Sequence, residues 1–213
     1  PDASERPATV KIKAFKDINS LKLAYESGEV DLAFGLTGEI AKELKDKKKN
    51  VIDFDAAYQY YTFLNLENDI LKDPAVREAI DKGIDREAIK KTLDGGTIPT
   101  GLFAGYNSFV AKIAATYNVN EAKALLDNSG WKLEDGAKYR TKDGKELTLS
   151  IKTYSSKPDL PKVSQTIASE LEKLGIKVTV EVVDDISKVT KARNFDILVY
   201  AQHPSPAGSP VYF

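Results

Sequence analysis

Residues 73–93 read Asp73-Pro-Ala-Val-Arg-Glu-Ala-Ile-Asp-Lys-Gly-Ile-Asp-Arg-Glu-Ala-Ile-Lys-Lys-Thr-Leu93, and this pattern predicts two short helices in succession. Asp73 suits the N-cap of the first helix, because its carboxylate can accept hydrogen bonds from the free amides of the first turn. Pro74 suits the first helical position, where a missing N–H costs nothing. Asp85 repeats the capping pattern, so the second helix begins directly after the first one ends.

One apolar stripe runs along the first of these helices. Val76, Ile80 and Ile84 recur at helical spacing, which places their side chains on one face. Ile84 precedes the second N-cap and Ile89 lies in the following turn, a spacing that allows a hydrophobic staple between them. The stretch therefore predicts a helix pair with a buried apolar face.

The same stretch resembles the extracellular solute-binding proteins of peptide and nickel ABC importers. A strand that ends at Asn65 is followed, after a short gap, by the helix pair, and Arg77 and the turn at 84–86 are the most specific matches. Residues 27–33 (S-G-E-V-D-L-A) and 120–131 (N-E-A-K-A-L-L-D-N-S-G-W) resemble the family as well. The resemblance covers essentially the whole chain, although family members are much longer.

Composition restricts the classes of function. The chain of 213 residues can bury one good core or two small ones, and its net charge of -1 gives no basic surface for nucleic acid. No apolar run approaches membrane-spanning length. The absence of cysteine excludes disulfides and thiolate metal sites. No signal peptide is recognised at the start, so we expect either a cytosolic chain or an excised piece of a longer one.

The first part of the chain is predicted to alternate strands and helices. Alternating apolar residues predict a strand at 9–15, and short apolar runs predict strands at 30–34 and 51–54. Residues 17–28 combine a capping aspartate, helical apolar spacing and a terminal glycine, which predict a helix. Residues 40–44 carry the apolar positions of a second helix.

The later part of the chain predicts a β-α-β pattern. Asp143-Gly144 is a hairpin signal. Strand and helix periodicities then follow one another as a strand at 147–151, a helix at 160–174, a strand at 176–182, a helix near 186–191 and a strand at 195–200. Such a repeat predicts parallel strands joined by right-handed crossovers.

A stretch with little periodicity separates the two patterned parts. Residues 97–118 are rich in glycine, asparagine and aromatic residues and predict a long surface loop, and loops of this length are often functional. Asn118 with Glu121 resembles a capping box that opens the next helix. Trp131, the only tryptophan, is expected to anchor the core rather than to contact a ligand.

These elements predict an α/β fold with a mixed sheet and flanking helices. The resemblance implies one lobe of a type II periplasmic-binding-protein-like fold, present as a fragment of a two-lobed protein. It further implies that residues 1–57 form the end of the first lobe and residues 58–213 an incomplete second lobe.

Ligands of parallel α/β sheets bind beyond the carboxyl ends of the strands. Here those ends are predicted at 154–156, 183–185 and 200–210, and the last of these loops contains the only histidine. The resemblance implies that this loop lines the ligand cleft. The residues expected to contact a ligand are His203, Gln202, Ser205, Tyr200, Phe103 and Tyr61. No catalytic residue, metal ligand or cofactor is expected.

The ligand class stays open between oligopeptides and chelated nickel. Peptide-binding family members commonly place an acidic residue in the loop after this strand, whereas residues 202–209 contain none. Nickel-type members place aromatic residues there, and Pro204 and Gly208 fall near those positions instead. The resemblance implies a monomer outside the cytoplasm, in the periplasm or lipoprotein-anchored, that serves the permease of an ABC importer without inserting into the membrane or binding nucleic acid.

Two other classes of function remain open from the residues. A small α/β enzyme could use Asp184, Asp185 and His203 as acid–base groups, although adjacent carboxylates after a strand usually form a polar turn or a helix cap. A protein-interaction domain could use the loop at 97–118, which a large exposed apolar patch would favour.

Overall fold

A computed structural model describes residues 3–53, 58–102, 113 and 116–202. After a 3-10 turn at Ala3–Glu5, the helices in these ranges are α1 (Ile18–Glu26), α2 (Gly38–Asp46), α3 (Pro74–Gly83), α4 (Arg86–Thr92), α5 (Val119–Asn128), α6 (Asp159–Glu172) and α7 (Ile186–Ala192). The strands are β1 (Gln59–Leu64), β2 (Thr141–Lys142), β3 (Lys145–Glu146), β4 (Thr148–Tyr154), β5 (Lys177–Val183) and β6 (Ile197–Gln202). None of these helices is long and apolar enough to cross a lipid bilayer.

A four-stranded mixed sheet organises the part of the chain after residue 58. Its strand order is β1-β6-β4-β5. β4 runs parallel to both β5 and β6, so the predicted β-α-β unit and the mixed sheet are confirmed. β1 is antiparallel to β6, with Gln59 opposite Gln202. The start of β1 therefore lies at the carboxyl end of β6.

The main core lies between the sheet and its helices. Leu149 and Ile151 of β4 and Leu160 and Leu171 of α6 are fully buried. Each such side chain contributes about 1.5–3 kcal/mol of burial free energy. Trp131 is 7% exposed and belongs to the same cluster, which confirms its predicted role as a core anchor.

The helix pair at 73–93 is confirmed with its caps. The Asp73 side chain accepts a hydrogen bond from the amide of Ala75, and the Asp85 side chain accepts from the amides of Glu87 and Ala88. The predicted apolar stripe of α3 is buried in the main core. Local capping chemistry and helical periodicity thus account for the geometry of this stretch.

We expect Gly83→Ala to destabilise the protein although alanine is the better helix former. A Cβ atom at Gly83 would lie 2.4 Å from Leu174 Cδ1, and Leu174 is fully buried. Overpacking costs about 1–3 kcal/mol, which exceeds the helix-propensity gain of about 1 kcal/mol. Thermal unfolding followed by circular dichroism should give a lower Tm. In a Leu174→Ala background the same substitution should be neutral or stabilising, and a loss of equal size there would contradict the steric explanation.

The strands predicted in the first part of the chain are wrong within the described residues. Residues 9–15, 30–34 and 51–53 are extended or irregular segments without strand pairing. A strand needs a hydrogen-bonded neighbour, and no other segment of the described ranges pairs with these. Their alternating apolar side chains consequently remain exposed, and Ile12 is 95% exposed.

The two helices predicted in this part are confirmed. Asp17 caps α1 by accepting a hydrogen bond from the amide of Ser20, and Thr37 caps α2 in the same way from the amide of Ile40. Leu44 is 1% exposed and lies outside the main core cluster. Residues 54–57, where the predicted lobe boundary falls, lie outside the described residues.

Candidate functional site

The carboxyl edge of the sheet brings tyrosines and glutamine amides together. Tyr61 lies opposite Tyr200, and Gln59 lies opposite Gln202 in the antiparallel pairing of β1 with β6. Residues directly opposite each other share one face of a sheet. Tyr154, at the end of β4, contacts Tyr200 with ring centroids 5.3 Å apart. This face presents aromatic rings and neutral hydrogen-bonding groups.

Three of the six predicted ligand residues lie at this edge. Tyr200 and Gln202 end β6, and Tyr61 lies beside them on β1. Their placement follows the expectation from strand direction, since the carboxyl ends of β4 and β6 meet at one edge. The other three predicted residues, which are His203, Ser205 and Phe103, lie outside the described residues.

Side chains of β1 hold the start of the 97–118 loop. The Tyr61 hydroxyl donates to the carbonyl oxygen of Leu102 at 2.6 Å, and Gln59 Nε2 donates to that of Gly101 at 3.2 Å. Burial raises the pKa of Tyr61 above its ordinary value, so the phenol stays protonated and remains a donor. Residues 97–102, 113 and 116–118 contain no helix or strand, consistent with the predicted loop.

Gln59 was missed by the sequence analysis. Its Oε1 atom is buried and accepts no hydrogen bond from any described residue. Its relation to Gln202 depends on the pairing of β1 with β6, which joins residues far apart in the chain. The only local signal was its spacing of two residues from Tyr61, which places both side chains on one face of a strand.

The other face of β1 is tied to the start of α6. The Tyr60 hydroxyl donates to Asp159 Oδ2 at 3.0 Å. Burial, together with the Asp159 carboxylate, raises the pKa of Tyr60 above its ordinary value. Lys157 Nζ lies 4.9 Å from the centre of the Tyr58 ring, within the range of a cation–π contact. These contacts fix the orientation of β1 relative to α6 at the same edge.

An open groove of about 570 Å³ runs along the first face, away from the edge. Its lining is mainly apolar and aromatic, with the charged side chains Glu67 and Arg193 beside it. The groove begins at Tyr200 and Gln202 and extends to Asn65. The candidate edge is therefore continuous with a larger apolar surface.

One carboxylate of the Asp184–Asp185 pair acts as a helix cap. Asp185 is the N-cap of α7 and accepts a hydrogen bond from the amide of Ser187 at 3.0 Å. Hydrogen bonds from Ser187 lower the pKa of Asp185, whereas a general acid near neutral pH needs a raised one. The helix-cap interpretation of this pair is confirmed for Asp185. Within the described ranges, no three or more acidic, histidine or cysteine side chains cluster as a metal site would require.

The sequence of the chain matches a known protein family over almost its whole length. The family model of bacterial extracellular solute-binding proteins, family 5 Middle, matches residues 3–213. The chain belongs to this family. The resemblance drawn from residues 73–93 is thereby confirmed, and so is the predicted class of fold.

Individual relatives of family 5 include peptide-binding and nickel-binding proteins. The chain is 29% identical over 184 residues to the oligopeptide-binding protein AppA of Bacillus subtilis, covering 83% of the chain and 34% of AppA. It is 29% identical over 143 residues to the nickel-binding protein NikA of Staphylococcus aureus, covering 65% of the chain and 27% of NikA. The chain thus spans about a third of the length of these relatives.

A solved structure of family 5 has the same architecture. NikZ from Campylobacter jejuni, in complex with Ni(L-His), superposes with a TM-score of 0.78 at 26% sequence identity. The match covers 94% of this chain and 40% of NikZ. The sheet and helices described above therefore correspond to a part of a larger binding protein in that relative.

Proposed function

We propose that this chain is part of a substrate-binding protein that captures oligopeptides or chelated nickel outside the cytoplasm and delivers them to the permease of an ABC importer. The observation that carries the proposal is the tyrosine and glutamine edge at the carboxyl ends of β4 and β6, found in a member of family 5. The relatives are named as binding proteins. We accordingly propose a monomer without catalytic activity, located in the periplasm or anchored to the cell surface as a lipoprotein.

The proposed mechanism is hinge closure of two lobes around the ligand. Residues 1–57 belong to the first lobe and residues 58–213 to the second. In support, the described main core is built from residue 71 onward, with Tyr58 and Tyr60 packed against it. A ligand that contacts both lobes only in the closed state stabilises that state.

Within the described residues, contacts between the two proposed lobes include the approach of Gly38 to the carbonyl oxygen of Leu93 and two exposed ion pairs. On α2, Glu39 pairs with Lys162 at 2.5 Å and Lys42 pairs with Asp94 at 3.3 Å. Exposed ion pairs of this kind contribute at most about 1 kcal/mol. Contacts of this strength are compatible with a hinge that opens and closes.

The proposed ligand residues are His203, Gln202, Ser205, Tyr200, Phe103 and Tyr61. The positions of Tyr200, Gln202 and Tyr61 on one face support this assignment. Tyrosine rings supply apolar contact area and their hydroxyls supply hydrogen bonds, which suits ligands with both characters. A single histidine cannot form a tight metal site, so nickel would have to arrive already chelated by a small molecule.

Calorimetry on the longer two-lobed protein tests the proposal. The ligands are oligopeptides of defined lengths, Ni²⁺ alone and Ni²⁺ with an excess of L-histidine. We expect one of the two ligand classes to bind with a Kd of about 1 μM or tighter, which corresponds to about 8 kcal/mol. Ni²⁺ alone should bind more weakly than its histidine chelate. Failure of both peptides and the chelate to bind would contradict the proposal.

We expect His203→Ala in the two-lobed protein to weaken ligand binding by at least about fivefold, or about 1 kcal/mol. Pro204 and Pro206 follow the histidine and restrict the backbone of the loop, which lowers the entropic cost of holding the imidazole at the ligand. Calorimetry measures the affinity, and thermal unfolding of the empty protein should give a nearly unchanged Tm. Unchanged affinity, or a large loss of stability, would refute the assignment.

A further inference from the structure

We propose that Gln59 and Tyr61 are positioning residues, which hold residues 100–102 in place as one wall of the ligand site. The inference rests on the proposed function, because the wall acts on a ligand at the carboxyl edge. The Tyr61 hydroxyl donates to the carbonyl oxygen of Leu102 at 2.6 Å, so Tyr61 also holds the segment beside the ligand residues proposed above.

Gln59 and Tyr61, the two anchors, donate hydrogen bonds to adjacent peptide groups. Gln59 and Tyr61 are two residues apart on β1, so their side chains project from one face of the strand. Their donors reach two successive carbonyl oxygens, those of Gly101 and Leu102. Two hydrogen bonds from a rigid strand to adjacent peptide groups fix both the position and the direction of the segment, which a single bond would not do.

The anchored segment is also bonded to Ile113. The amide of Ile113 donates to the carbonyl oxygen of Thr100 at 2.6 Å. Because Gly101 and Leu102 follow Thr100 directly, the hydrogen bonds from Gln59 and Tyr61 also determine where Thr100 and Ile113 lie.

The wall lies next to the ligand residues proposed above. Gln59 is opposite Gln202 and Tyr61 is opposite Tyr200, so the anchors share a sheet face with both. Residues 101 and 102 rest on this face through the anchors. A ligand in contact with Tyr200 and Gln202 is therefore bounded on the β1 side by the anchored segment.

One side-chain oxygen of Gln59 has no hydrogen-bond donor among the described residues. Gln59 Oε1 is buried without a donor from the described residues, although Nε2 is bonded to Gly101. A buried acceptor without a partner is unfavourable, and an apolar side chain of similar length would avoid that cost. Gln59→Met therefore removes the hydrogen bond to Gly101 together with the unpaired oxygen, which makes it a useful variant for separating anchoring from stability.

Limited proteolysis of the 213-residue chain tests the anchoring. The variants are Tyr61→Phe, Gln59→Met and the double substitution, with Tyr25→Phe on α1 as the matched control. We expect chymotrypsin to cleave next to Leu102 about fivefold faster in each single variant, the effect of losing one hydrogen bond. The Tm should fall by no more than about 4 °C for Tyr61→Phe and should stay equal or rise for Gln59→Met. Tyr25→Phe should cleave like the wild type.

Ligand dissociation from the two-lobed protein tests the role of the wall. The probe is whichever of the two ligands, the oligopeptide or the nickel–histidine chelate, binds the wild type. Both single variants should release it about fivefold faster, including Gln59→Met, whose expected Tm equals or exceeds that of the wild type. If Gln59 had only a structural role, a variant with an unchanged or higher Tm would not release the ligand faster.

Each alternative outcome has a separate meaning. Unchanged cleavage next to Leu102 would overturn the anchoring, whatever the ligand does. Faster cleavage with unchanged ligand release would show that the segment is anchored but does not bound the ligand, and it would overturn the inference. A wild-type protein that binds neither ligand would overturn the proposed function and the role of the wall with it.

Discussion

Arg140→Ala should lower the free energy of unfolding by about 3 kcal/mol, one of the two largest effects we expect. The Arg140 side chain is 2% exposed. Its Nε atom donates to the carbonyl oxygen of Leu174 at 2.7 Å, and one of its terminal nitrogens donates to that of Trp131 at 2.7 Å and to Asp127 Oδ1 at 2.6 Å. One guanidinium thus joins the ends of α5 and α6 to the segment before β2.

The expected loss of unfolding free energy comes mainly from the carbonyl groups of Leu174 and Trp131. Without the guanidinium, Leu174 and Trp131 keep carbonyl oxygens in a site that the arginine had shielded from water, and each such orphan costs about 1–3 kcal/mol. Asp127 contributes less, because its side chain is 44% exposed and can be hydrated again. Arg140→Lys should lose most of the same stability, since an ammonium group lacks the planar fork that serves three acceptors.

Urea unfolding followed by circular dichroism measures this effect. The matched control is Arg193→Ala, which removes an exposed arginine that pairs with Glu67. An exposed ion pair contributes at most about 1 kcal/mol, so the control should remain close to the wild type. A small effect of Arg140→Ala would show that the surrounding carbonyls find other donors.

The role of Arg140 could not be predicted from the sequence. It lies among the charged residues of 138–146, a composition that indicates a solvated hairpin, and the hairpin itself is confirmed. Burial of the guanidinium results from the approach of α5 and α6, whose ends are distant in the chain. The local sequence pattern predicts the hairpin. Burial of Arg140 depends on long-range packing, which the local pattern does not indicate.

The elements that were predicted correctly are those whose sequence pattern lies within the element or directly beside it. Capping residues and apolar periodicity lie within a few residues of each helix, and the parallel pairing of β4 with β5 follows from an intervening helix of sufficient length. The segments 9–15 and 30–34 have strand-like sequences but no partner among the described residues. Strand formation depends on that partner, so the same local pattern gave a wrong prediction there.

The candidate site was predictable to the extent that strand direction determines it. Tyr200 and Gln202 followed from the rule that ligands bind at the carboxyl ends of parallel strands. The roles of Gln59 and Tyr61 depend on the antiparallel addition of β1 beside β6 and on the placement of residues 101 and 102. Neither the pairing of β1 with β6 nor the placement of residues 101 and 102 can be predicted from a local sequence pattern.

The second large effect concerns the chain as an isolated unit. We expect it to bind the ligand of the two-lobed protein at least about 100-fold more weakly, a loss of about 2.7 kcal/mol or more. In the proposed site, Tyr200 and Gln202, with the segment held by Tyr61, would meet the ligand from one side only. An open edge leaves the opposite surface of the ligand in water, and binding still has to compensate for the lost freedom of the ligand. When a second lobe closes on the bound ligand, it adds contacts, and the ligand loses no further translational freedom.

Calorimetry of the 213-residue chain and of the two-lobed protein, with the same peptide or nickel–histidine chelate, measures the difference. The chain must be folded for the comparison to hold, and near-ultraviolet circular dichroism of the buried Trp131 provides that control. Tyr200→Ala should weaken binding by the two-lobed protein, and it should weaken any measurable binding by the isolated chain too, because Tyr200 lies at the edge that the chain retains. A Kd of the isolated chain that lies less than about 100-fold above that of the two-lobed protein would contradict the requirement for two lobes.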